Sequence, residues 1–337
     1  MSRIKMSDVA KAAGVSAMTV SRALKHDGRI APTTRTRILK IVADLGYVPD
    51  RIAGSFSSRR SGFVGVLVPS LNNPHFAETA AGLDEVLTRG GLQLLLGYTN
   101  YRAEVAERLI ETMLERRPEA MIITFDDHTA RARQLLLNAG IPVIEIWETP
   151  TKPIGHVVGF SNRSAAAAMV QHLIDSGRRR IGFIGERDDK GTRGAERRRG
   201  FIDALKAAGL DPSRRLATVA PPINMMFGRD AMTALLEKWP DTDAVMCVSD
   251  PCAYGALTAC QLIGRRVPED VAVAGFGDFE ISRCSLPSIS TVVVSGLEIG
   301  TRAGELTLQL LDGSCSDQML ILVDAYTEPR ESSKIAG

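Results

Sequence analysis

Beyond residue 61, short apolar runs alternate with helical stretches, and this alternation limits the possible folds more than any other feature of the sequence. The apolar runs lie at residues 63–68, 92–97, 120–124, 141–146, 181–184, 244–248 and 271–276. Helical patterns separate them, among others at residues 76–88, 104–115, 165–176 and 229–238. Strands that are apolar on both faces are typical of parallel sheets covered by helices. Because about 275 residues exceed what one such sheet needs, the sequence predicts two doubly wound parallel-sheet subdomains.

Charge is distributed unevenly between the two ends of the chain. Residues 1–60 carry twelve Lys and Arg against four Asp and no Glu, a net charge of +8. The other residues carry 29 basic against 35 acidic side chains, a net charge of −6. A basic segment joined to a mildly acidic body indicates a polyanionic partner for the first segment alone, with a solvated basic tail as the alternative.

The basic segment has the residue order of three short helices. Gly14 ends a first apolar helical pattern, and Ser16 can cap a second helix that runs to Leu24. Thr33 can cap a third helix, which ends before Gly46. Two helices that meet across a three-residue turn, with a supporting third, predict an all-α helix-turn-helix headpiece.

This segment resembles the DNA-binding headpiece of the lactose/galactose repressor (LacI/GalR) family. The resemblance rests on MSDVAKAAGVSAMTVSRAL at residues 6–24 and on LGYVPDR at residues 45–51. It implies that the second helix enters the major groove of operator DNA. It also implies that the segment after Pro49 becomes a hinge helix that pushes an apolar side chain into the minor groove. Family members usually have Asn at the position of Asp50 and Leu at that of Phe56.

On this resemblance, most side chains that contact DNA lie on the second helix, where they would face bases or phosphates. The predicted DNA contacts are Ser7, Ser16, Ala17, Met18, Thr19, Ser21, Arg22, Arg51 and Phe56. Phe56 would be the minor-groove wedge. A place in the protein core is the alternative for Met18 and Phe56, whereas Arg22 is polar on a helix whose other face is apolar.

The same resemblance extends along the body, which is similar to a periplasmic sugar-binding protein. In the body, the resemblance rests on residues 66–77, 140–143, 177–184, 197–201 and 267–276. The likeness implies that the chain crosses between the two subdomains three times, near residues 160–163, 290–292 and 319–324. These crossings form a hinge, so the cleft between the subdomains can close on a ligand. The implied division is a headpiece at 1–48, a hinge at 49–61, an N-subdomain at 62–161 with 291–319, and a C-subdomain at 162–290 with 320–333.

Ligands of open α/β sheets bind beyond the carboxyl ends of the strands, and the strand ends of both subdomains supply candidate side chains. From these ends and the family likeness, the predicted effector-binding residues are Ser70, Asn72, His75, Phe76, Tyr98, Thr124, Arg187, Arg197, Ser249 and Asp250. Phe76 can stack on an apolar sugar face, while charged and amide groups hold hydroxyls or a carboxylate. The alternatives are an ordinary surface histidine at His75, a turn-shaping role for Asn72, and a solvated loop around Arg187.

Three features of the sequence bear on the nature of the ligand. The family places a ligand-holding Arg three residues before a Gly-aromatic pair, which is Arg197 here. Many sugar-binding members carry an acidic residue directly after another Gly-aromatic pair, where this chain has Gly277 and, one place later, Asp278. An anion-repelling group is therefore absent or displaced, and the Asn-Pro-His-Phe segment looks like the gluconate-repressor branch. We expect a gluconate-like effector whose carboxylate pairs with Arg187, Arg197 or His75.

The same alternation of strands and helices would also suit an enzyme, a Rossmann-type oxidoreductase. The stretches at residues 182–185 and 275–277 lack the full G-x-G-x-x-G spacing, and neither G-x-x-x-x-G-K-[ST] nor G-x-S-x-G occurs. The five histidines show no H-E-x-x-H spacing and the five cysteines no C-x-x-C pair. We therefore expect no enzyme activity, no cofactor and no metal site.

The apolar runs are too short to cross a membrane and the first residues lack a secretory signal, so we expect a cytoplasmic protein without a membrane partner. The expected partners are double-stranded operator DNA, a small-molecule effector that is a sugar or sugar acid, and a second copy in a homodimer. The predicted function is a repressor of sugar or sugar-acid catabolism that its ligand releases from the operator. A sugar-binding α/β protein that does not bind DNA is the alternative.

Overall fold

The computed structural model describes residues 4–24, 29–48, 61–124, 128–187, 191–213 and 216–334. Within these ranges, the chain forms two compact units, Met1–Ser61 and Gly62–Gly337. Each unit has its own hydrophobic core. In these ranges no helix is both long and apolar enough to span a membrane.

The first unit is a cluster of three helices. They are α1 (Met6–Ala13), α2 (Ala17–Leu24) and α3 (Pro32–Asp44). Val9, Val20 and Ile38, one from each helix, are fully buried together. Ser16 caps α2 as expected, since its Oγ accepts a hydrogen bond from the Thr19 N–H at 3.2 Å. The third helix begins at Pro32 and not after Thr33, because proline suits the first helical position.

The second unit begins with a six-stranded parallel sheet. It consists of β1 (Phe63–Val68), β2 (Gln93–Tyr98), β3 (Met121–Thr124), β4 (Val143–Ile146), β5 (His156–Gly159) and β11 (Leu320–Leu322), in the order β11-β5-β4-β3-β1-β2. Helices α4 (Pro74–Arg89), α5 (Ala103–Glu115), α6 (Ala130–Leu137) and α12 (Gly296–Asp312) accompany this sheet. The central strands β3 and β4 are buried throughout, as strands covered on both faces should be, although β4 contains one charged residue, Glu145.

A four-stranded parallel sheet forms the second half of this unit. It consists of β6 (Ile181–Glu186), β7 (Leu216–Val219), β8 (Ala244–Cys247) and β9 (Ala272–Ala274), in the order β7-β6-β8-β9. Its helices are α7 (Asn162–Asp175), α8 (Arg193–Ala207), α9 (Met225–Lys238), α10 (Asp250–Leu262) and α11 (Glu280–Cys284). These two sheets and the helical headpiece confirm the predicted fold class.

The chain passes between the two sheets at three places. It leaves β5 in the first sheet and enters α7, and later returns through β10 (Thr291–Val294) to α12. It then passes from β11 to β12 (Ala325–Glu328), which pairs antiparallel with β10. Strand β11 pairs with β5 in the first sheet and therefore lies on the N-subdomain side. This strand begins just beyond residue 319, where the sequence predicted the end of the N-subdomain.

Glycines let three helix pairs pack with their backbones in close approach. A Cβ atom on Gly255 of α10 would lie 1.9 Å from the Met225 carbonyl oxygen of α9. Gly200 of α8 and Gly300 of α12 meet carbonyl oxygens of α7 and α4 in the same way, at 2.0 and 2.1 Å. Real Cβ atoms do not approach an oxygen so closely, so any larger residue must separate the helices.

We expect Gly255→Ala to destabilise the second unit by about 3 kcal/mol, because α9 and α10 must move apart. Gly209→Ala is the matched control: Gly209 has a left-handed backbone (φ 70°) but no atom within 4 Å of its Cβ position. It should lose only about 1 kcal/mol from backbone strain. Urea unfolding followed by circular dichroism measures both, and equal losses would contradict the packing argument.

Candidate functional site

The second helix of the headpiece presents one apolar face inward and an exposed face outward. Val20 and Ala23 are fully buried against α1 and α3. Ala17, Met18 and Arg22 are exposed, and Met18 has 63% of its surface accessible. An exposed methionine and arginine on one helix suit contact with base edges. There the apolar partner of Met18 would be a thymine methyl group, and Arg22 could donate hydrogen bonds.

Local hydrogen bonds fix this helix in the headpiece. The hydroxyls of Ser16 and Thr19 lie 2.9 Å apart in the helix cap. The Arg35 Nε–H of α3 donates to the Ala23 carbonyl at 3.2 Å, near the end of α2. Ser7 lies exposed in the first turn of α1, and Ser21 is half-buried on α2. The other two predicted DNA contacts, Arg51 and Phe56, lie outside the described residues.

A cavity of about 670 Å³ lies between the two sheets of the second unit. Its N-subdomain wall includes Ser70, Asn72, His75, Phe76, Tyr98, Asn100, Tyr101 and Trp147. Its C-subdomain wall includes Glu186, Arg193, Arg197, Asn224, Val248, Ser249, Phe276, Gly277 and Phe279. Most of these residues follow the carboxyl ends of strands, so the cavity lies where ligands of open α/β sheets bind.

Seven of the ten predicted effector contacts line this cavity. They are Ser70, Asn72, His75, Phe76, Tyr98, Arg197 and Ser249. Thr124 does not, because it is buried in β3 and its hydroxyl donates to the Leu67 carbonyl at 3.3 Å. Arg187 lies exposed directly after β6 and outside the cavity wall.

Asp250, also predicted to contact the effector, lies fully buried behind the cavity wall. Its carboxylate accepts hydrogen bonds from the Phe279 N–H at 2.7 Å and from the Thr291 hydroxyl at 2.6 Å. Burial raises the pKa of this carboxyl to about 6 in spite of these bonds. Asp250 therefore holds the loop that carries Phe279, instead of lining the cavity itself.

Arg197 is the best-anchored cation of the cavity. Its Nε–H donates to Asn162 Oδ1 at 2.8 Å, and its Nη1–H donates to the Val248 carbonyl at 2.7 Å. The guanidinium carbon lies 3.6 Å from the centre of the Phe276 ring. Burial and the charge of Arg193 lower the pKa of Arg197 to about 10, so the side chain remains charged at neutral pH. Its remaining N–H groups are available to an anionic or hydroxyl-bearing ligand.

A chain of hydrogen bonds continues from Arg197 into the other subdomain. Asn162, which is fully buried at the first crossing, donates through Nδ2 to the Trp147 carbonyl at 2.8 Å. The Trp147 indole N–H donates in turn to the Thr79 hydroxyl of α4 at 3.2 Å. Trp147 has a left-handed backbone (φ 76°), which is unusual for so bulky a residue and typical of functional sites.

Aromatic rings form an apolar surface along the cavity. The Phe76 and Trp147 ring centres lie 5.6 Å apart, edge to face. The Arg193 guanidinium carbon lies 5.2 Å from the centre of the Phe76 ring, so this contact joins the two subdomains. Such a surface suits the apolar face of a sugar-like ligand, with the two arginines able to hold its polar groups.

His75 is buried at the first turn of α4, with 8% of its surface exposed. Its ring lies 4.3 Å from that of Phe279 and 5.4 Å from that of Trp147, measured between ring centres. Burial and the positive charge of Arg197 lower the pKa of His75 to about 4. The imidazole is therefore neutral at physiological pH, which makes it a hydrogen-bonding group and not a cation for a carboxylate.

Asp278 lies between two residues of the cavity wall, yet its carboxylate does not line the cavity. It bonds to Arg283 and, at 2.5 Å, to the Arg330 Nη2–H. Burial favours the neutral carboxyl, but the hydrogen bonds from Arg283 and Arg330 outweigh it and lower the pKa of Asp278 below its usual value. Its negative charge is thus paired outside the cavity.

Several cavity residues escaped the sequence prediction, including Tyr101, Trp147, Arg193 and Phe279. A usable signal existed for two of them. Trp147 directly follows β4, and the rule of strand ends applies to it as it does to Tyr98. Arg193 precedes Arg197 by four residues on α8, so the two share one helix face.

Comparison with known proteins gives matches at both ends of the chain. Residues 5–50 match the family described as "Bacterial regulatory proteins, lacI family", and residues 170–333 match the "Periplasmic binding protein-like domain". The HTH-type transcriptional regulator IdnR of Escherichia coli is 34% identical over 91% of this chain and 91% of its own length. The HTH-type transcriptional regulator GntR of Pseudomonas aeruginosa is 35% identical over 92% and 90%.

Among solved structures, a LacI-family transcriptional regulator from Silicibacter pomeroyi superimposes with a TM-score of 0.91. It is 34% identical in sequence and covers 98% of this chain and 100% of its own. Similarity thus extends over the headpiece and the body together.

Proposed function

Because this chain belongs to the lacI family of bacterial regulatory proteins, we propose that it is a repressor controlled by a sugar acid. Its relatives are HTH-type transcriptional regulators, which confirms the prediction of a DNA-binding regulator and not an enzyme. Regulators of this family bind operator DNA and a small-molecule effector. The relatives named IdnR and GntR fit the gluconate-repressor branch that the sequence resembles.

The observation that carries the sugar-acid proposal is the pair of arginines on the cavity wall. Arg193 and Arg197 line it, whereas Asp278 pairs with Arg283 and Arg330 away from it. Two carboxylates also belong to the wall: Glu280, which is exposed, and Glu186, which accepts a hydrogen bond from the Thr192 hydroxyl at 2.5 Å beside the start of α8. An anionic ligand gains more from two desolvated arginines than a neutral sugar does. Of the three carboxylate partners considered from the sequence, we retain Arg197.

In this proposal, ligand binding closes the two subdomains and releases the operator. The functional division follows the sequence expectation, with a headpiece at residues 1–48, a hinge at 49–61 and two effector-binding subdomains. Because its partners would be operator DNA and a metabolite, we place the protein in the cytoplasm. The coupling must be reciprocal, so operator DNA lowers ligand affinity by the same factor by which ligand lowers DNA affinity.

For base reading, we expect Arg22→Ala and Met18→Ala each to reduce the preference for operator over random DNA by about 1–3 kcal/mol. Lys5→Ala is the control, since an exposed lysine that contacts phosphate should weaken binding to every sequence alike. The operator is obtained by sequencing genomic fragments that the protein retains, and fluorescence anisotropy measures both affinities. An unchanged preference in Arg22→Ala would show that the proposed orientation of α2 is wrong.

We propose a homodimer on a near-palindromic site, because one recognition helix reads only a few base pairs and two headpieces supply the missing specificity. Light scattering should give the mass of two chains, alone and on one operator duplex. A stable tetramer, or a monomer with full operator affinity, contradicts this proposal.

For the effector, we expect gluconate and 2-ketogluconate to bind more tightly than glucose. Arg197→Ala should weaken the two acids by about 1.5–3 kcal/mol, the usual contribution of a hydrogen bond to a charged group, and glucose by less. Arg187→Ala is the matched control, because this arginine lies outside the cavity wall. Calorimetric titration measures all three ligands. Glucose binding as tightly as the acids would exclude the sugar-acid effector and leave the regulator assignment intact.

A further inference from the structure

Gly277 has a backbone conformation that other residue types rarely adopt, and two rings occupy the place of a side chain. Its φ of 126° lies in the region that L side chains rarely adopt. A Cβ atom here would lie 2.7 Å from His75 Nε2 and 2.4 Å from the Phe279 ring. Its N–H donates to the Val292 carbonyl at 2.8 Å, which holds the backbone from behind. The space beside Gly277 is therefore filled by other side chains.

One of the two rings that fill this space, the His75 imidazole, comes from the opposite subdomain. His75 begins α4 on the N-subdomain side, whereas Gly277 and Phe279 belong to the loop after β9. The edge contact of His75 with Phe279 and the approach of its Nε2 to Gly277 join the two walls of the cavity. A side chain at residue 277 would displace this imidazole.

The buried imidazole has unused hydrogen-bonding capacity. Within the described residues, neither of its nitrogens makes a hydrogen bond of good geometry, although the Gly277 backbone lies close enough to act on the pKa of the ring. A carboxylate oxygen of Glu78 lies 3.7 Å from Nδ1. A neutral imidazole offers one N–H donor and one acceptor nitrogen. Buried polar groups that lack partners are costly, and a ligand hydroxyl, which both donates and accepts, can satisfy them.

We propose that Gly277 and His75 together determine the specificity of the cavity: the bare backbone at Gly277 admits the imidazole, and the imidazole binds a hydroxyl group of the effector. This inference rests on the proposed function, since it takes a polyhydroxylated acid as the ligand. It assigns the carboxylate to the arginines and a neighbouring hydroxyl to His75.

A double-mutant cycle tests the contact between the two residues. Gly277→Ala should weaken gluconate binding at least tenfold, because the new methyl group and the imidazole cannot occupy the same space. In a His75→Ala background the loss should be at least threefold smaller, since backbone strain and the Phe279 contact are common to both backgrounds and cancel in the comparison. Gly313→Ala, at a left-handed glycine (φ 81°) with open space around it, should leave gluconate affinity unchanged. Equal losses in both backgrounds would overturn the proposal.

A second measurement needs no ligand. The pKa of His75, followed by the NMR shift of its ring protons, should be near 4 in the unaltered protein and rise towards 6.5 in Gly277→Ala, where the ring is pushed towards solvent. It should stay near 4 in Gly313→Ala. A pKa that stays near 4 in Gly277→Ala would mean that the ring is not displaced, and would overturn the proposed contact.

His75→Phe tests the hydrogen bond separately, because it keeps a ring beside Gly277 and removes both nitrogens. Gluconate affinity should fall about tenfold, with an unfolding temperature close to that of the unaltered protein. Unchanged affinity would overturn the role of His75. If the unaltered protein does not bind gluconate, the proposed function fails and the hydroxyl assignment with it. If it binds gluconate but the variants behave additively, only the present inference fails.

Discussion

Arg197 can keep its charge inside the cavity only because its hydrogen bonds are met by backbone and side-chain oxygens that the fold brings to it. One partner, Asn162, lies at the first crossing between the subdomains, and the other, the Val248 carbonyl, lies at the end of β8. Asn162 also holds the Trp147 carbonyl of the opposite subdomain. The orientation of the main cationic group of the cavity therefore depends on the geometry of the crossing. A ligand that binds Arg197 is therefore linked, through these hydrogen bonds, to the relative position of the two subdomains.

The sequence predicted most of the buried apolar strands, apart from the short strands β5 and β10, and it missed the partly buried strands β7 and β11. Strands β1, β3, β4, β6 and β8 are apolar and buried, so their runs were evident. Strand β11 is short and at the edge of its sheet, with Leu320 and Leu322 exposed, and β7 is only half-buried. Helix α10 is rich in small apolar residues, because it packs closely on α9, and it shows no helical alternation of polar and apolar residues. Edge strands and helices packed on several sides lack the periodicity on which such prediction relies.

For the cavity, residue type and strand position identified seven residues of the wall, but they did not determine which other side chains turn into it. Thr124 lies at the carboxyl end of a strand, as the rule requires for a ligand contact, yet its hydroxyl donates to the Leu67 carbonyl within the sheet. Arg187 and Arg193 both belong to one charged stretch, and their sequence neighbourhood does not distinguish them. The distinction arises where α8 begins: Thr192 caps the helix through the Ala195 N–H, which places Arg193 on the same face as Arg197. The start of a helix, and not the composition of a loop, selects the arginine that enters the cavity.

The charge that a side chain contributes to the cavity is set by its partners more than by its residue type. Arg197 stays protonated although buried, because two oxygens and an aromatic face surround it. His75 is buried near this cation, and burial together with the charge of Arg197 keeps it neutral. Asp278 stays ionised, but Arg283 and Arg330 pair its charge on the far side of the loop. The cavity therefore combines two arginines, a neutral donor–acceptor ring and an apolar surface, while Glu186 of the wall accepts a hydrogen bond from the Thr192 hydroxyl. An acid that carries several hydroxyl groups is the class of ligand that uses all three.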